Sequence, residues 1–172
     1  RHHLNITPQR AAAAVIDEFN DNGVDAIYFH QPSDTLYLVQ SKLKASEEFA
    51  QAEAQAFCAG VRLLINQEFD TFNDHFQSRR FEIEEALGIC SNIRLLVAYC
   101  GAGISHHAKT ALEQLIDNDN LDEERLALPI EYFTPTETSS ALRGLHAYQR
   151  VNAELHLTNY GKVEEPRKTY FG

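Results

Sequence analysis

Asp21-Asn-Gly-Val-Asp25-Ala-Ile-Tyr-Phe29, a polar break, then Leu36-Tyr-Leu-Val-Gln40-Ser-Lys42 is the stretch from which the fold is read. Both apolar runs are rich in β-branched and aromatic residues, which suit a pleated surface, and Gln31-Pro32-Ser33-Asp34 between them has turn chemistry. So short a connection predicts two antiparallel strands, Val24 to Phe29 and Thr35 to Gln40. Side chains alternate along a strand, so Gln40 and Lys42 share a face and Ser41 takes the other. An acid entering the first strand and a Gln-x-Lys leaving the second can therefore meet at one end of the hairpin.

Reading outward, Thr7-Pro8 is an N-cap followed by proline at the first helical position, and the alanines after it predict a helix to about Glu18. Asn, Asp and Gly within Phe19 to Gly23 break it. Ser46, with Glu47 and Glu48 behind it, is a candidate N-cap for a long helix to about Gln67, since Phe49, Ala52, Ala56, Phe57, Gly60, Val61 and Leu64 recur at three- and four-residue steps. Asn73 to Leu87 predicts another helix, and the nearly unbroken apolar run Ile93 to Tyr99 a strand covered on both faces. Gly101-Ala-Gly103 then turns into a helix over Ser105 to Asp117, and an acidic loop reaches Glu124. A strand at Ile130 to Phe133, a helix at Thr136 to Tyr148 and a strand at Ala153 to Thr158 complete the series. The hairpin followed by strand-helix alternation implies an α/β fold with a mixed central sheet flanked by helices.

At 172 residues, 44% of them apolar, the chain has the size and composition of one packed domain. It contains no methionine and stops at Lys168-Thr-Tyr-Phe-Gly172, so a single domain over residues 1–172, cut from a longer protein, is expected. No apolar window is long enough for a membrane span, which makes a cytoplasmic protein without membrane partners the default. Cys58, Cys90 and Cys100 lack the close spacing of a zinc or redox site and are expected to be reduced, with Cys58 and Cys100 buried. A net charge of −10 excludes a protein whose whole surface grips nucleic acid and leaves room only for a local basic groove.

Hydrolysis of a phosphodiester with a divalent cation needs hard oxygen ligands and a group that orients the attacking water. Asp25 supplies an anionic oxygen, Gln40 a neutral one, and Lys42 a cation to face the phosphate. The same residues would also suit an ordinary solvated hairpin edge. The run Asn20 to Tyr28 followed by Leu36 to Lys42 resembles the N-terminal region of the abortive-infection phage-resistance (AIPR) family. Members of that family resemble the PD-(D/E)xK nuclease superfamily and share with Mrr-type restriction endonucleases a D-G-G-I-D … Q-x-K pattern, in which Asn22 here replaces a glycine. The resemblance implies a restriction-endonuclease-like fold and a phage-defence hydrolase that cuts DNA or RNA with Mg²⁺ or Mn²⁺. It implies Asp25 and Gln40 at the metal, Gln40 standing where glutamate is usual, and Lys42 as the catalytic lysine. The superfamily's upstream helical acid would be Glu18 or Asp17.

The alternative reading is a nuclease-like module that binds or senses without chemistry. A nuclease that cuts both strands would pair as a homodimer, though no interface signal decides this. Asp21 is read first as a turn cap, Lys44 equally as phosphate contact or strand-end lysine, and Arg79-Arg80 as a solvated helix face. Gly101-Ala-Gly103 lacks the third glycine of a dinucleotide fingerprint, His106 standing there, and is read as a tight turn.

Overall fold

The hairpin and the later strands build one sheet, seen in a computed structural model that describes residues 4–44, 47–117, 125–126 and 129–145 and the backbone of 162–165 and 168–171. β1 (Ala26–His30) and β2 (Thr35–Leu43) pair antiparallel with Ala26 opposite Val39, joined by a 3₁₀ turn over Gln31–Ser33 that Asp34 closes at φ 50°. β3 (Glu48–Phe49), α2 (Gln51–Ile65) and α3 (Asp74–Ile89) follow, then β4 (Asn92–Cys100), which lies parallel to β2. β5 (Gly103–Ile104), α4 (His106–Asp117), β6 (Glu131–Phe133) and α5 (Pro135–Leu145) come next, before a hairpin of β7 (Lys162–Glu165) and β8 (Lys168–Phe171). The main sheet runs β1-β2-β4-β6, its last three strands parallel, so the fold is mixed α/β as the alternation predicts. The strand expected at Ala153 to Thr158 and the acidic loop at 118–124 lie outside the described residues.

β2 and β4 are central; Leu36, Leu38, Ile93, Leu95 and Val97 are buried on one face of the sheet, and Thr35, Tyr37 and Leu96 on the other. Phe57, Val61 and Leu64 of α2 and Phe76, Ile83 and Leu87 of α3 join the same core. Asn73 caps α3 by accepting from Phe76 N–H at 2.9 Å.

Two helix boundaries differ from expectation because strand pairing claims their residues. α1 (Pro8–Ala13), capped by Thr7 as predicted, ends five residues early: Val15 bridges Ala26, and Ile16 N–H donates to Asp25 C=O at 2.8 Å. β-Branched Val-Ile gains more at a sheet edge than in an alanine helix. α2 starts at Gln51 rather than near Ser46, which lies outside the described residues, because Glu48 and Phe49 pair with Gly103 and Ile104. Phe49 is fully buried against the edge of Tyr99 at 5.7 Å, and the Tyr99 hydroxyl donates to Glu47 C=O. The first turn of α2 is closed instead by Glu53, whose Oε2 accepts from Ala50 N–H at 2.7 Å. Cys58 is buried as expected, but Cys100, past the covered part of β4, is exposed.

Two glycines let the segment before β1 lie directly on α2. Gly23 has φ +75°, and a Cβ there would sit 2.8 Å from the backbone of Ala56 and Phe57. A Cβ on Gly60 would lie 2.2 Å from Asn22 O. Gly60→Ala is therefore expected to cost about 1–3 kcal/mol in urea unfolding. Gly88→Ala, with nothing within 4 Å of its Cβ position, should gain about 0.5–1 kcal/mol. Equal unfolding midpoints for the two variants would refute this packing.

Candidate metal centre

Asp25 stands just before β1, so its side chain is set by the edge of the sheet. It is 4% exposed, and Gln40, across on β2, is 1% exposed. Ser41 N–H donates to Asp25 Oδ2 at 2.5 Å, and Gln40 Nε2 donates to Oδ2 at 3.1 Å and Oδ1 at 3.3 Å. Asp25 and Gln40 thus meet at the hairpin end, as the alternation predicts. Gln40 meets the acid through its amide nitrogen and so holds the Asp25 carboxylate in place. Lys42 follows on the same face, half-buried, with its ammonium close enough for its charge to act on Asp25.

The chain before Asp25 brings two more acids to it. Asp21 N–H donates to Glu18 C=O at 3.1 Å and Val24 N–H to Asp21 C=O at 3.1 Å, so two successive turns fold the segment back on itself. Asn20, Asn22 and Gly23 take φ 66°, 55° and 75°, a region open chiefly to Gly and Asn. One oxygen from each of Asp17, Asp21 and Asp25 consequently lies within 4.8 Å of the others. Asp21 both accepts from Gly23 N–H at 2.7 Å, the expected turn cap, and belongs to this cluster. Of the two upstream candidates, Asp17 joins it, whereas Glu18 pairs with His75 at 3.2 Å. Lys44 is held by Glu53 at 2.8 Å and Glu47 at 3.2 Å.

The segment is bolted down from the far side as well. Asn73, 8% exposed, donates from Nδ2 to Ile16 C=O at 2.7 Å and from its backbone to Asn20 C=O at 3.0 Å. Asn22 Nδ2 donates to Thr71 O at 3.2 Å.

The donor set fits a hard divalent cation. All three groups are carboxylates, the preferred ligands of Mg²⁺ and Mn²⁺. Oxygens bound to one ion at ~2.1–2.4 Å lie at most ~4.8 Å apart, a limit that the cluster meets. Burial pushes the Asp25 carboxyl up to about 6, helped by the Asp17 and Asp21 charges and opposed by the Ser41 hydrogen bond and Lys42.

Elsewhere, the Gly101 turn is explained by packing, because a Cβ there would lie 2.3 Å from the Tyr99 hydroxyl and 2.7 Å from Glu47 O. No helix among the described residues is long and apolar enough to cross a membrane. Comparison with family models, curated proteins and solved structures finds no match to this chain.

A carboxyl whose folded-state pKa lies above its unfolded value binds its proton more tightly when folded. Its contribution to stability is complete below about pH 4 and is lost as pH rises through about 6. The loss is about 3 kcal/mol. Asp25→Asn should accordingly melt higher than the native chain at pH 8 and almost level with it at pH 4. Mn²⁺ should raise the native melting temperature at pH 8 and leave the variant's unchanged. A melting difference that did not vary with pH would refute the role given to burial.

Proposed function

We propose that this domain is a divalent-metal-dependent nuclease of the PD-(D/E)xK type, of the kind the Asp25…Gln40-x-Lys42 motif resembles in phage-defence proteins. The observation that carries the reading is the convergence of the Asp17, Asp21 and Asp25 carboxylates beside Gln40 and Lys42 at one end of a mixed sheet. Asp17, Asp21 and Asp25 would hold Mg²⁺ or Mn²⁺, which supplies Lewis acidity and lowers the pKa of water. Gln40 and Ser41 N–H fix the Asp25 rotamer. Lys42 brings the positive charge that an anionic phosphate needs as charge develops on its oxygens. Phe19, between Asp17 and Asp21 in the sequence and 86% exposed, would be available to stack on a base of a bound nucleic acid.

A second reading is favoured by one specific observation. Gln40, where a ligating glutamate would stand, spends its amide on both oxygens of Asp25. A site built this way would bind metal and nucleic acid without cutting.

The test is incubation of the full chain with DNA and with RNA in Mn²⁺, with and without chelator. Chelator-sensitive cleavage is expected, falling about 100-fold or more in both Asp25→Ala and Lys42→Ala. Undiminished cleavage by both variants would sink the nuclease reading. Binding of Mn²⁺ through Asp25 with no cleavage of either polymer would replace it with the binding module.

A further inference from the structure

A cavity of about 270 Å³ opens at the outer edge of β1, between α1 and α3, with Arg10, Tyr28, Phe29, Gln31, Arg79 and Glu82 in its lining. None of these residues belongs to the acidic cluster. The only charged residues in the lining are Arg10, Arg79 and Glu82, so the cavity carries a formal excess of one positive charge on a chain of net −10.

Arg79 decides what the cavity is for. Its side chain is 18% exposed and so is not the solvated helix residue the sequence suggests. Nε donates to Glu82 Oε2 at 3.3 Å, and Nη2 donates to Glu82 Oε1 at 3.0 Å and to Ile27 C=O at 3.2 Å. A guanidinium has five N–H groups, and these bonds account for those of Nε and Nη2. Nη1 is buried with no hydrogen-bond partner. An unpaired N–H on a buried cation is costly, so a guanidinium left this way calls for an acceptor. Glu82 already occupies the Nε/Nη2 side. Arg79 lines the cavity, where Arg10 adds a second cation and Tyr28 and Gln31 add polar groups, so an acceptor bound there would offer the guanidinium the partner it lacks.

We propose that this cavity binds a phosphate-type oxyanion, held by Arg79 through Nη1 and by Arg10. A phosphate presents several oxygens, enough to engage two guanidinium groups at once. Two sources carry that chemistry: the backbone of a nucleic acid and a free phosphorylated small molecule. Tyr28 and Phe29 lie three and four residues beyond Asp25, which at ~3.3 Å per residue is about 10–13 Å along the strand. One strand of nucleic acid could span that distance and touch both sites.

The experiment is an NMR titration of the full chain with inorganic phosphate at constant ionic strength, with chloride as control, following the amides of Ala14 and Phe29. Saturable shifts at millimolar phosphate are expected, with affinity about tenfold lower in Arg79→Lys, which keeps the charge and loses the fork. Arg10→Ala, on an exposed position of α1, should weaken binding independently of any effect of Arg79 on folding. Competition by tetrathymidylate below the phosphate range would identify a nucleic-acid backbone as the source, and competition by adenosine monophosphate alone a free phosphorylated ligand. Absence of saturable shifts, or shifts unchanged in both arginine variants, would overturn the proposal. It would leave the nuclease reading untouched, because the two sites share no residue.

Discussion

Backbone lies on backbone where Gly23 and Gly60 let residues 22–24 touch α2, and the placement of the acids depends on that contact. With a side chain at either position the two chains could not approach, since both Cβ atoms would meet main-chain atoms at 2.2–2.8 Å. Because Asn22 and Val24 are held there, the segment can turn twice and deliver Asp17, Asp21 and Asp25 to one place. Asn73 completes the clamp from α3, capping its own helix while holding Ile16 and Asn20. A flexible segment would let three like charges separate. This one holds them together, and burial, with a smaller push from the Asp17 and Asp21 charges, raises the Asp25 carboxyl to about 6. A carboxyl held at such a cost to stability is what the metal-binding role proposed for it would require.

The elements legible in the sequence were those whose pattern and tertiary role agree. β1 and β2 read as a hairpin because the alternation, the turn residues and the short connection all point one way. β4 read as a strand because its apolar run matches its central place; Ile93, Leu95, Val97 and Tyr99 are buried on one face, while on the other Leu96 is buried between half-buried Arg94 and Ala98. The boundaries that could not be read are those where a distant partner outbids local preference. Val15 and Ile16 leave a good helix former's territory for the edge of β1. Glu47 to Phe49 look like a helix start, but Phe49 has a buried place beside Tyr99, which lies fifty residues further along the chain. Nothing local in either stretch announces the partner.

The candidate site divides along the same line. Asp25, Gln40 and Lys42 could be related from the sequence because a strand fixes direction through its period of two. Asp17 and Asp21 could not be ranked, because they lie where no period applies and their convergence is set by three left-handed residues. The signal was present in Asn20, Asn22 and Gly23, a run of residue types that tolerate positive φ, but it specifies sharp turning without saying toward what. Asn22 also shows that asparagine can hold a position where the resembling motif carries glycine, since its φ is 55°. The donor direction of Gln40 was beyond reach, because an amide offers a ligand oxygen and a hydrogen-bond donor with equal ease.

Charge is segregated along the first strand in a way that bears on how a polyanion could approach. One end of β1 gathers three carboxylates, and its outer edge further along faces two arginines. The net charge of −10 opposes a phosphate chain at long range, but at physiological ionic strength that repulsion fades beyond about 8 Å. Short-range interactions with buried groups are screened far less. Affinity would then rest on few contacts: the Arg79 fork with its spare Nη1, Arg10, and the charge of a divalent ion reversing that of the aspartates. Without such an ion the acidic cluster would repel the backbone that the proposed arginine site would attract. On the proposed reading, metal and nucleic acid would be coupled, because the ion would change the sign of one site and leave the other as it is.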